Sequence, residues 1–207
     1  MLYSSLGYYS LLFGLITSLP IFFFSIKNFR NEEVLDYKII TFSFIQLFLV
    51  VVSFLGLVLS FVYSDFSNET VFNNSHTTKP LFYKISGTWG NHEGSLLLWL
   101  VVLTLFIFLF LIKSKDLLKK YRILTVLFQQ IIIIGFFTFL IKSSSPFNYI
   151  FPIQNEGLGL NPILQDPALA IHPPILYLGY VGSSIIFSSV LAATTLNYIS
   201  KQWAIHI

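Results

Sequence analysis

Cysteine is missing from all 207 residues, which excludes disulfide frameworks, thiolate zinc sites, iron–sulfur clusters and thiol catalysis by the chain itself. Charge is scarce too: Asp, Glu, Lys and Arg make up 10% of the residues, against about 25% in an ordinary soluble domain. With 55% hydrophobic and 18% aromatic residues and a mean hydropathy of +0.77, too few polar groups remain to clothe a surface in water. The chain reads as an integral membrane protein. Its net charge of +3 sits in loops where membrane topology already demands it, so nucleic acid is excluded as a partner.

Stretches free of Asp, Glu, Lys and Arg run over 1–26, 39–64, 94–112, 123–141 and 174–200. Each reaches the roughly 20 residues a helix needs to cross about 30 Å of hydrocarbon. The expected fold is therefore all-α, a single transmembrane domain over 1–207 with spans at about 6–26, 39–63, 94–112, 123–141 and 174–196. Loops 64–93 and 142–173 then share one face. The first stretch lacks a charged leader and a small-residue cleavage site, so it reads as a retained span, with Pro20 expected to kink it. Gly56, Gly135, Gly179 and Gly182 are expected to be close-packing points between helices. No span carries an interior acid or base, which leaves pumps and ion-coupled transporters no relay. Gln129 and Gln130 in the fourth span are expected to bond between helices.

Lys and Arg set the orientation. Nine of the twelve fall on one side (Lys27, Arg30, Lys38, Lys113, Lys115, Lys119, Lys120, Arg122 and Lys201), and only Lys79, Lys84 and Lys142 fall on the other. The positive-inside rule then places the N-terminus and both long loops outside. That outer face holds His76, His92 and His172, while His206 lies on the inner side and is assigned no role. The tract 67–79 is polar and aperiodic and reads as a mobile loop; its glycosylation-type triplets at Asn68 and Asn73 are discounted as chance matches.

Two segments stand out. In GTWGNHEGSLLLW (87–99), glycines precede a span, Glu93 meets the positive end of a helix, and Trp89 and Trp99 suit interfacial anchoring. In EGLGLNPILQDPALAIHPPILYLGYVG (156–182), the pairs Asn161-Pro162 and Asp166-Pro167 are turn signals. That segment reads as lying bent on the membrane surface up to His172, with Pro173-Pro174 opening the last span. Read as structure alone, both are helix entrances. Read as chemistry, they form an apolar shelf tipped by two histidines, suited to a flat hydrophobic ligand. No metal site and no catalytic residue is expected.

Taken whole, the two segments resemble the N-terminal part of CcmF, the large membrane subunit of the cytochrome c haem lyase in the System I maturation pathway. The resemblance implies attachment of haem to a Cys-x-x-Cys-His motif of apocytochrome c on the outer face of the bacterial or mitochondrial inner membrane. It carries over to Trp89, Gly90, His92, Glu93, Gly94 and Ser95, and to Asn161, Pro162, Gln165, Asp166, Pro167, His172, Pro173, Pro174 and Tyr177. These are expected to support the haem and apocytochrome site without ligating iron.

The family's tryptophan-rich motif and axial histidines do not occur in these residues. The chain thus resembles one piece of a split CcmF, not catalytic alone, and its Phe-rich composition suits a mitochondrial gene. Implied partners are a second fragment carrying that motif and most of the haem, a CcmH-like thiol-reducing subunit, apocytochrome c and membrane lipid. A purely structural scaffold of the maturation complex is the alternative.

Overall fold

A computed structural model describes residues 1–31 and 37–206. Hydrocarbon offers no water to backbone N–H and C=O groups, so apolar stretches of this length close their hydrogen bonds within helices. The chain forms α1 (Leu2–Asn31), α2 (Tyr37–Val62), the short α3 (Glu69–Asn74) and α4 (Leu81–Gly87), then α5 (His92–Lys113) and α6 (Lys119–Lys142). A 3₁₀ turn (Pro162–Gln165) leads into α7 (Pro167–Tyr180), α8 (Ser183–Leu196) and α9 (Lys201–His206). Among the described residues, five stretches are long and apolar enough to cross a membrane: α1, α2, α5, α6 and the combined run Pro167–Leu196. The all-α membrane architecture is the one expected, and α1 continues as helix through Pro20.

The last crossing begins earlier than the expected boundary at 174. Asp166 accepts a hydrogen bond from the Leu169 amide at 3.0 Å and Pro167 occupies the first helical position, so capping starts the helix here. His172, Pro173 and Pro174 consequently lie inside α7, and the extended surface segment expected up to His172 ends at Asp166. The crossing is interrupted after Tyr180. There Gly182 lets the Phe106 ring approach so closely that a Cβ would stand 2.7 Å from it.

α1 and α2 pack on a regular seam. α1 buries Ser4, Gly7, Leu11, Gly14, Ser18, Ile21, Ser25 and Asn28, spaced alternately three and four residues, and α2 answers with Ile39, Ser43, Gln46, Val50, Ser53, Leu57 and Ser60. This spacing of 3.5 is that of a coiled-coil seam, and its small residues let two backbones approach where lipid provides no hydrophobic drive. Ser4 and Ser60 share a hydrogen bond of 2.9 Å at one end. On the opposite side of α1, Leu6, Tyr9, Phe13, Ile16, Leu19 and Phe23 face outward.

The glutamines bond between helices as expected. Gln130 Nε2 donates to Gln46 Oε1 at 2.9 Å, and Gln46 Nε2 donates to Ser18 Oγ at 2.8 Å, which ties α6 to α2 and α1. Gln129 donates to Ser184 and accepts from Ser188 at 3.0 and 2.7 Å, which ties α6 to α8. Such amide bonds contribute about 0.6 kcal/mol each in a bilayer.

Of the four glycines expected at helix contacts, Gly56 and Gly182 are there, whereas a Cβ on Gly135 or Gly179 would meet nothing within 4 Å. Those two face outward, and sequence spacing alone does not separate an inward from an outward glycine. Replacing Gly56 by Val puts a Cβ 2.8 Å from the Tyr3 carbonyl and 3.0 Å from Gly7 Cα. We expect about 1–3 kcal/mol of destabilisation, and none for Gly135→Val, by thermal unfolding in detergent. Equal effects would exclude the close seam.

Candidate functional site

At the end of the bundle where α5 begins, the starts of α3, α5, the 3₁₀ turn and α7 are each fixed by a side-chain cap. Asn91 accepts from the Gly94 amide at 2.7 Å and returns its own amide to the Gly87 and Thr88 carbonyls at 2.7 and 3.2 Å. Gly94 is required there, because a Cβ would lie 1.6 Å from the Thr88 oxygen. Asn161 caps the 3₁₀ turn by accepting from Ile163 at 3.0 Å, and Gln165 donates back to the Leu160 carbonyl at 3.1 Å. The Asn-Pro and Asp-Pro pairs are thus two successive cap-plus-proline starts.

The prolines within α7 create the contact that unites the two motif segments. Proline has no N–H, so Pro174 leaves the carbonyl of residue 170 without its helical donor. Trp89 Nε1 donates to that Ala170 oxygen at 2.8 Å, while its ring stacks on Phe54 with centroids 6.4 Å apart. Beside it a Cβ on Gly90 would touch Leu160 and Leu164 at 3.4 Å, so the bare backbone lets the second segment settle on the first. Further along, Trp99 lies edge-on to Tyr177 at 5.5 Å and tilted to Phe136 at 5.8 Å. Hence α5 and α7 run side by side in the same direction, and both histidines belong to one end of the bundle.

His92 shares a hydrogen bond with Ser144 Oγ through Nδ1 at 2.9 Å and stands edge-on to Phe139, which binds it to the end of α6. Ser95 Oγ donates to the His92 carbonyl at 3.0 Å. His172 is exposed on α7, and among the described residues no hydrogen bond, ion pair or ring contact joins it to His92. Glu93, in the first turn of α5, lines a polar cavity of about 180 Å³ together with Glu69, Asn73, Ser144 and Asn148. Among the described residues no group of three or more His, Cys, Asp or Glu is placed to hold a metal.

The tract expected to be mobile is folded. Fully buried Asn68 caps α3 and donates to the Pro146 carbonyl at 2.9 Å, and an isolated bridge pairs it with Tyr149. The Glu69 amide reaches the Asn148 carbonyl at 2.9 Å, and the Leu158 and Gly159 amides reach those of Phe72 and Ser75 at 2.8 and 3.0 Å. Its partners are thus some 80 residues away along the chain, which local composition does not reveal. Glu156 completes the clasp by accepting from the Thr77 amide at 2.8 Å and from its hydroxyl, with His76 Nδ1 3.7 Å away. The Thr77 hydroxyl is the main cause holding the Glu156 carboxyl below the ordinary glutamate value, helped by the Thr77 and Gly157 amides and by His76.

Two outcomes follow. A depressed carboxyl contributes above its ordinary pKa and loses that contribution as pH falls through the folded value. Exchange protection of the Thr77 amide is therefore constant at neutral pH and drops only once the pH has fallen below the ordinary glutamate value of about 4.3; in Glu156→Gln it is weaker, with no acid step. Separately, Trp89→Phe orphans the Ala170 carbonyl at a cost of about 1–3 kcal/mol. In a Pro174→Ala background, where the helix regains its own donor, that cost shrinks towards zero. An undiminished cost would mean the indole does not serve that carbonyl.

Comparisons with known proteins identify the family and the fold. Residues 89–206 match the family described as "Cytochrome C assembly protein". The cytochrome c-type biogenesis protein CycK of Rhizobium meliloti is 46% identical over 156 residues, which cover 75% of this chain and 23% of the relative. The cytochrome c-type biogenesis protein CcmF of Escherichia coli is 38% identical over 153 residues, covering 73% and 24%. A solved structure, cytochrome c haem lyase CcmF, shares the fold at a TM-score of 0.81 and 24% identity, over 99% of this chain and 33% of that one. The chain spans about a quarter of the length of the curated relatives it matches. On this family match and these identities, the chain is a multi-pass membrane member of the cytochrome c assembly protein family.

Proposed function

We propose that the chain is one component of a haem lyase that attaches haem covalently to apocytochrome c on the outer face of a bacterial or mitochondrial inner membrane, with its N-terminus on that face. Haem is a substrate here, presented to a platform rather than enclosed. The observation that carries this reading is the Trp89–Ala170 bond, which makes the two family segments one surface at one end of the bundle. From that surface α7 turns Leu169, Ile171, His172 and Ile175 outward and buries only Ala170. This is a single apolar wall with an imidazole on it.

One wall does not hold a macrocycle. The cavity beside His92 measures about 180 Å³ and is lined by carboxylates, amides and hydroxyls, below the roughly 300–1,000 Å³ of small-molecule sites. A second polypeptide therefore supplies the opposite wall and the iron ligands. The partners that fit are a CcmF fragment carrying the tryptophan-rich motif and a CcmH-like subunit that keeps the apocytochrome thiols reduced. In this role Trp89, Gly90, His92, Glu93, Gly94, Ser95, Asn161, Pro162, Gln165, Asp166, Pro167, His172, Pro173, Pro174 and Tyr177 shape the platform, and none acts as a catalyst.

The test replaces His92 and His172 by Ala and follows holocytochrome c yield together with the abundance of the assembled complex. We expect yield to fall by about tenfold or more, the scale of losing a supporting group, at unchanged complex abundance. Unchanged yield would leave only the scaffold role.

A further inference from the structure

We propose that the polar cavity at the histidine end of the bundle binds a calcium ion. It measures about 180 Å³ and opens between the first turn of α3, the first turn of α5 and the segment that follows α6. Its lining brings Glu69 and Glu93 together with Thr70, Asn73, Ser144 and Asn148. The two acids lie far apart in the sequence, each at an ordinary helix start, so no spacing announces the site.

Three observations point to a cation held by oxygen. Among the described residues neither carboxylate accepts a hydrogen bond or meets a cation, and the lining contains no Lys, Arg or His. Thr70 is only 4% exposed, yet its hydroxyl opens on the cavity with no hydrogen-bond partner, and a buried polar group left this way is costly. Finally, the atoms these side chains offer a metal are all oxygens, from carboxylates, amides and hydroxyls, which suits calcium or magnesium rather than the metals that favour imidazole or thiolate. The His92 ring stands outside the lining, engaged through Nδ1 by Ser144 at 2.9 Å. Ligands gathered from three separate segments fit the flexible shell of calcium better than the strict octahedron of magnesium. Asn68, next to Glu69, donates to Ser4 Oγ at 3.2 Å, so the cavity stands at the start of α1, about 40 Å of helix away from Asn31. Bound there, the ion ties both long loops to the first turn of α5, beside His92.

The experiment is isothermal titration calorimetry of the full chain, stripped with EGTA and held in an uncharged detergent, with calcium chloride and, separately, magnesium chloride. We expect one calcium ion per chain with a dissociation constant of about 10⁻⁴–10⁻³ M, the range of extracellular modules, and magnesium weaker by about tenfold or more. Glu69→Gln and Glu93→Gln should each weaken calcium by about tenfold or more. Because Glu69 is exposed, Glu69→Gln tests the site without disturbing the fold. Glu156→Gln removes a carboxylate outside the lining and should leave binding intact. The proposal is overturned by the absence of saturable calcium binding, by binding that survives Glu69→Gln or Glu93→Gln, or by an equal loss in Glu156→Gln, which marks diffuse charge. Magnesium bound as tightly as calcium overturns the calcium assignment.

Discussion

A proline within a membrane helix leaves a carbonyl without its donor, and in this chain the indole of Trp89 fills the gap that Pro174 leaves at Ala170. That exchange docks α7 on the turn before α5. Carrying Pro173 and Pro174, α7 would expose unpaired backbone oxygens to lipid if it stood alone; docked against the turn before α5, it has an external donor at one of them. The same contact fixes the relative height of α5 and α7, so Trp99 meets Tyr177 and Phe106 meets Gly182 further along.

Around this bond the two long loops form one body. Asn68 reaches Pro146, the Leu158 and Gly159 amides reach Phe72 and Ser75, and Glu156 reaches Thr77. The bundle beneath supplies stiffness through a different chemistry: a seam of serines and glycines between α1 and α2, and two neighbouring glutamines of α6 that grip α2 and α8. A folded layer of loops thus sits on a rigid helical base.

Much of this was legible in the sequence because lipid is a severe solvent. The absence of interior charge located five crossings, and Gln129 and Gln130 announced interhelical bonds because amides in hydrocarbon have few other choices. Three features were not legible. The tract around Asn68 has the composition of a loose loop, and its order comes from partners distant in sequence. Pro173-Pro174 reads as a helix start, but the Asp166 cap acts earlier and Trp89 supplies a donor to the carbonyl that Pro174 frees. Asn91, which sets the start of α5, was passed over although Asn ahead of an apolar run is a cap signal. At the site itself, the motif residues were visible in the sequence; that most of them are caps and close contacts joining two segments emerged only from the fold.

The central claim is that residues 87–99 and 156–182 form one continuous platform. Because the chain has no cysteine, a disulfide between engineered sites reports their contact without background. With Gly90→Cys and Leu164→Cys together in native membranes, the account predicts rapid and near-complete crosslinking under mild oxidation, and none when Gly90→Cys is paired with Lys119→Cys. Failure of the first pair to crosslink in folded protein would contradict it.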